Sequence, residues 1–109
     1  MRLLLCLMTP TFLMGAKIEN LMFAQAAAQE DSKRAAARSV NNEAERLQLG
    51  TAESLRKAIV KYEEALSLWR SAGDKSGEAE TLSSAAQVYN SLGDKQRALD
   101  YFQRAIELW

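Results

Sequence analysis

Apolar residues in the C-terminal half of the chain recur at helical spacing. Ala98, Phe102, Ala105 and Trp109 step by 4, 3 and 4, which lines them along one face of an α-helix. Ala58, Tyr62, Ala65 and Trp69 step the same way, and between the two stripes runs a third made of Leu82, Ala85 with Ala86, Tyr89 and Leu92. Gly73-Asp74 and Gly93-Asp94 punctuate the stripes. A glycine suits the left-handed residue that ends a helix, and the aspartate after it can accept from the unpaired N–H groups opening the next. The pattern predicts a unit of helix, tight turn, helix, tight turn.

The unit occurs twice. Ala58 and Ala98 are 40 residues apart, and so are Tyr62 and Phe102, Ala65 and Ala105, Leu66 and Ile106, and Trp69 and Trp109. So many matched positions at one offset imply an internal repeat. Side-chain sizes suggest how the helices meet. Ala86, Ala98 and Ala105 let backbones approach, while Leu82, Tyr89, Phe102 and Trp109 fill the spaces between. In the first copy Ala65 stands in the small role, with Tyr62 and Trp69 in the large one. These positions are the expected inter-helix packing residues. Residues 74–109 form the better copy and 43–73 a degenerate one, with Thr51 a plausible helix cap after Gly50. The expected fold is all-α: a short solenoid of antiparallel helix pairs, about two repeats long.

The N-terminus departs from this pattern. Arg2 is followed by fourteen uncharged, mostly apolar residues, and Ala24-Gln25-Ala26 offers small residues at the two positions a signal peptidase reads. Residues 1–26 are therefore expected to be an export signal, giving a periplasmic or secreted bacterial protein. The apolar run is too short for a stable membrane anchor. Alternatives are cleavage after Ala16, or an ordinary amphipathic helix on a cytoplasmic protein. Residues 27–42 are rich in alanine and charge and lack a large apolar stripe, so they read as a helical or disordered linker. The cations Lys33, Arg34 and Arg38 read there as a solvated face.

Composition narrows the chemistry. Among 109 residues, 14 Lys+Arg balance 14 Asp+Glu, and with no net charge there is no electrostatic footprint for nucleic acid. There is no His, which removes the commonest general base and metal ligand, and the single Cys excludes both a disulfide framework and a thiolate zinc site. No phosphate-binding glycine loop or nucleophile elbow is present, and Glu63-Glu64 and Glu78/Glu80 fall on polar helix faces. No catalytic, metal or cofactor site is expected, and the chain is read as a non-enzyme.

The residues resemble the tetratricopeptide repeat family. Leu82, Ala86 and Tyr89 match the large, small and aromatic positions of that family's first helix, and Ala98, Phe102 and Ala105 match its second. Ala85 and Lys95 depart from the usual Leu and aromatic. The 40-residue period exceeds the usual 34 and is similar to a longer subclass seen in bacterial multi-repeat proteins. The resemblance implies a protein or peptide partner held along the first helices. The family's groove positions fall on Glu80, Ser83, Ser84, Gln87 and Asn90. Members that grip an acidic chaperone tail use cations at such places; none is present here, so that function is not carried over. The subclass also suggests an alternative, a regulatory arm of a larger caspase-like CHAT protease whose catalytic residues this chain lacks. The stripe is still running at Trp109, so Phe102, Ile106 and Trp109 are expected to need a cover: continuation in a longer protein or self-association, the alternative being a frayed end.

Overall fold

A computed structural model describes residues 2–109, with side chains from Leu21 onward. The side chains of residues 1–20, which carry most of the expected export signal, lie outside the described residues. Four helices follow one another: α1 (Arg2–Leu47), α2 (Ala52–Ala72), α3 (Lys75–Ser91) and α4 (Lys95–Leu108). Each packs chiefly on its neighbours in the chain. Every adjacent pair is antiparallel: Ala44 of α1 meets Ala58 and Tyr62, whereas the earlier Ala37 meets the later Ala65 and Trp69. The architecture is the expected all-α solenoid of two helix pairs.

The turns after α2 and α3 use one device. Gly73 has φ 69° and Gly93 has φ 85°, both in the left-handed region that a side chain disfavours. Past each glycine the chain folds back on the helix it has left: the Asp74 N–H donates to the Trp69 carbonyl at 3.0 Å and the Asp94 N–H to the Tyr89 carbonyl at 2.9 Å. The aspartate side chains then cap the following helices, Asp74 accepting from the Gly77 N–H at 2.9 Å and Asp94 from the Arg97 N–H at 3.2 Å. The turn between α1 and α2 is built differently. It has no left-handed residue, Leu49 at its tip is 91% exposed, and Thr51 caps α2 by accepting from the Ser54 N–H at 3.4 Å.

The stretch read as a linker is helical throughout, and its later part belongs to the packed repeat. Ala37 and Ala44 are buried, and Val40 and Leu47 are packed beside them. Side chains of α1 packed on the repeat therefore extend back to Ala37, ahead of residue 43. Ala37, Val40, Ala44 and Leu47 correspond to Ala79, Leu82, Ala86 and Tyr89, each pair 42 residues apart. The first helices of the two repeats thus repeat at 42, while the second helices repeat at 40. The stretch from Leu47 to Ala58, two residues longer than that from Tyr89 to Ala98, absorbs the difference.

Three apolar clusters form the core. Ala44, Ala58, Tyr62, Ala85 and Val88 join α1, α2 and α3; Ala37, Ala65 and Trp69 join α1 and α2; Leu66, Leu82 and Ala105 join α2, α3 and α4. Ala98 and Tyr89 are also buried, and Tyr89 meets Tyr101 edge-on with ring centroids 5.0 Å apart. Two expected packing residues differ. Phe102 is half-buried, and Trp109 is 74% exposed. Trp109 stands where Trp69 stands in the first repeat, but among the described residues no helix packs on the outer side of α4 to receive the ring.

Candidate partner-binding groove

Trp69 anchors the junction of three helices. Its ring lies flat against Gly77, so close that a Cβ there would come within 2.4 Å of a ring atom. Its Nε1 donates to the buried Thr81 Oγ1 at 2.9 Å, and Thr81 passes a hydrogen bond to Asn41 Oδ1 at 3.1 Å. The chain of bonds satisfies three polar groups at a buried position and fixes α3 beside α1. Two ion pairs frame the junction. Arg70 meets Glu78 at 2.6 Å, and Arg34 meets Asp74 at 3.3 Å.

Above this junction, between α1 and α3, lies an open depression of about 410 Å³. Arg38, Asn41, Asn42 and Glu45 line it from α1, Ser76, Gly77 and Glu80 from α3, with Trp69 and Asp74 at its edge. Asn41 Nδ2 also donates to Glu45 Oε1 at 3.4 Å. Arg38 and Asn42 are exposed and make no side-chain hydrogen bond or ion pair among the described residues. The rim holds Arg38 against Glu45, Glu80 and the Arg34-paired Asp74, so its balance is acidic.

Further along the same junction the Tyr62 hydroxyl takes a hydrogen bond from Gln48 and another interaction from Ser84. Burial pushes the Tyr62 phenol up to about 12, with the charge of Glu45 adding to the rise and the Ser84 and Gln48 bonds opposing it. Tyr101, which donates to the Glu63 carboxylate, is also pushed well above the ordinary phenol range, by burial first and then by that carboxylate. Lys61 is raised by its bond and charge pairing with Glu43, helped by Glu64. None of these groups is paired with a nucleophile. Among the described residues no group of three or more metal-ligating side chains converges, and no helix is long and apolar enough to cross a membrane.

Glu80, Ser83, Ser84, Gln87 and Asn90 share one exposed to half-buried face of α3. Only Glu80 lines the depression, and Ser84 is engaged with Tyr62. The opposite wall belongs to α1, whose Arg38 the sequence places on a solvated face. Arg38, Asn41, Asn42 and Glu45 correspond to Glu80, Ser83, Ser84 and Gln87 at the same 42-residue offset that relates the two first helices. The small residues Ala37 and Ala44, spaced like Ala79 and Ala86, were the available signal. The absence of a cation holds for the α3 face alone, since Arg38 enters the depression from α1.

Helical hairpins stacked through matched small and aromatic positions, with the first helices facing an open groove, define a helical repeat module. A family model for the tetratricopeptide repeat matches residues 47–109, more than half of the chain, and the chain belongs to that family. Its repeats are typically non-catalytic and generally mediate protein–protein interaction. Comparison with curated proteins and with solved structures gives no match.

Proposed function

We propose that the chain is a protein-interaction module that holds an extended peptide of neutral to basic character in the depression between α1 and α3. The observation that carries this reading is the lining of that depression. Arg38 and Asn42 have no partner within the chain among the described residues, and Asn41 is held in place by Thr81. Asparagine amides offer both a donor and an acceptor to a peptide backbone. The acidic balance of Glu45 and Glu80 against Arg38 favours a Lys or Arg side chain over a carboxylate tail.

Selection of a random peptide display library on the folded chain, followed by calorimetry with a synthetic peptide of the selected sequence, tests the proposal. The expected result is a motif containing Lys or Arg. Its binding should weaken about tenfold in Asn42→Ala and more in Glu80→Lys, with unchanged helicity. A motif rich in Asp and Glu, or binding indifferent to both substitutions, would remove the groove reading.

Export is proposed with it, on the strength of Arg2, the apolar run and Ala24-Gln25-Ala26. Among the described side chains the first buried one is Ala37, and Leu21–Ala26 are all exposed, which is compatible with cleavage after Ala26. Mass measurement of the protein recovered from a bacterial periplasm or medium checks this, the expected N-terminus being Ala27.

A further inference from the structure

Two adjacent asparagines line the depression, and the fold holds only one of them. Asn42 is exposed and makes no side-chain hydrogen bond among the described residues, so its amide is free to turn either end to a ligand. Asn41 is half-buried and bonded through both ends of its amide. Its Oδ1 accepts from Thr81 Oγ1 at 3.1 Å, and its Nδ2 donates to Glu45 Oε1 at 3.4 Å. Thr81 itself is buried and accepts from Trp69 Nε1 at 2.9 Å.

The two ends of this chain of bonds set its direction. An indole N–H only donates, and an ionised carboxylate only accepts. Between them the Thr81 hydroxyl and the Asn41 amide each donate outward, from the buried ring toward the groove. Turning the Asn41 amide over would set its oxygen against the Glu45 carboxylate, two acceptors with no proton between them. With its oxygen turned to Thr81, Asn41 offers the depression its nitrogen. One of the two Nδ2 protons serves Glu45, and the other has no acceptor among the described residues.

We propose that Thr81 is a positioning residue for the groove: by carrying the direction of the Trp69 N–H outward it makes Asn41 present a donor, so that a ligand sets a carbonyl oxygen opposite Asn41, while Asn42 takes either polarity. This rests on the peptide reading above and adds a fixed point of register to it. In an extended peptide a backbone carbonyl supplies the oxygen whatever the side chains, which leaves the choice of a Lys or Arg to Glu45 and Glu80.

Calorimetry with the library-selected peptide on paired variants tests the proposal. Asn41→Asp keeps an oxygen for Thr81 but replaces the groove-facing donor with a second acceptor. For a peptide bearing Lys or Arg the added negative charge alone would tighten binding, whereas loss of the donor should weaken it about tenfold or more. Asn42→Asp adds the same charge at the free asparagine and should change binding by less than about threefold. Thr81→Val should weaken binding about fivefold, and Thr81→Ser, which keeps the hydroxyl, should restore it to within about twofold. In an Asn41→Ala background Thr81→Val should cost nothing further, because no amide is left to position; a purely structural role would cost the same in both backgrounds. Circular dichroism of every variant keeps misfolding separate from lost binding. Nitrogen–proton spectra of the free chain need no peptide: the Asn41 side-chain amide resonances should shift in Thr81→Val and hold in Thr81→Ser. An Asn41 amide unmoved by Thr81→Val overturns the proposal. Binding of a basic peptide that is as tight or tighter in Asn41→Asp, or a Thr81→Val loss that persists in Asn41→Ala, overturns it as well and leaves the groove reading standing. A selected motif rich in Asp and Glu removes the groove reading itself, and the positioning with it.

Discussion

α2 and α4 carry the same stripe 40 residues apart, yet one is core and the other is surface. Tyr62, Leu66 and Trp69 are buried; Phe102 is half-buried, and Ile106 and Trp109 are exposed. The small positions behave alike, since Ala58, Ala65, Ala98 and Ala105 are all buried. Ala58 and Ala65 pack with α1, and Ala105 with α3, the helix before their own in each hairpin. The large residues on the outer side wait for the helix that comes next, which α2 has in α3. A repeat sequence therefore encodes two interfaces per helix, and only the inner one is satisfied within a single hairpin.

This contrast can be tested in descending order of effect. Leu66→Ala should destabilise by about 3 kcal/mol, because it opens a cavity among Leu82 and Ala105. Ile106→Ala, measured by urea unfolding at a concentration where the chain is monomeric, should change stability by less than about 0.5 kcal/mol. Equal effects would mean that the outer face of α4 is as packed as that of α2. Gly77→Ala should cost about 1–3 kcal/mol despite the better helix propensity of alanine, because the added Cβ meets the Trp69 ring. Its thermal midpoint should fall, and combining it with Trp69→Leu should recover part of the loss. Trp69→Phe should cost about 1–2 kcal/mol by removing the donor to Thr81, whose hydroxyl keeps only its bond to Asn41, whereas Trp109→Phe should be neutral to within measurement.

Alkaline pH separates the covered stripe in another way. The Tyr62 phenol is raised in the fold from 10 to about 12, so the folded state favours the protonated form. That contribution is fully present below pH 10 and is lost as pH climbs from 10 through 12. The thermal midpoint should drop over that window, and Tyr62→Phe should flatten the drop. The smallest effects belong to the caps. Asp74→Ala should cost about 1 kcal/mol and Asp94→Ala somewhat less, since Asp74 also holds Arg34 of α1 while Asp94 meets only Arg97 of its own helix. Melting of the two single variants side by side measures the difference.

Much of this arrangement was legible without coordinates. The stripes, the paired Gly-Asp turns, the caps and the offset of the second helices follow from local chemistry, because a left-handed glycine and a capping aspartate act within a few residues. The first helix of the first repeat was legible only from residue 43 on. Ala37 and Ala44 carry almost no hydrophobic signal of their own, and what buries them is Trp69 and Tyr62, 32 and 18 residues away in the chain. The groove residues Arg38, Asn41, Asn42 and Glu45 were missed for the same reason, since their register depends on those alanines.

By itself the amino-acid order determined the helices, their ends and the identity of the small and large positions, all consequences of backbone preference and side-chain volume. Only the tertiary structure decided that the first helices keep a 42-residue register against 40 for the second, that Trp69 is core while Trp109 is surface, and that Arg38 reaches the groove. Each of those depends on which helix stands alongside, and burial is a property of a pair of surfaces, not of one.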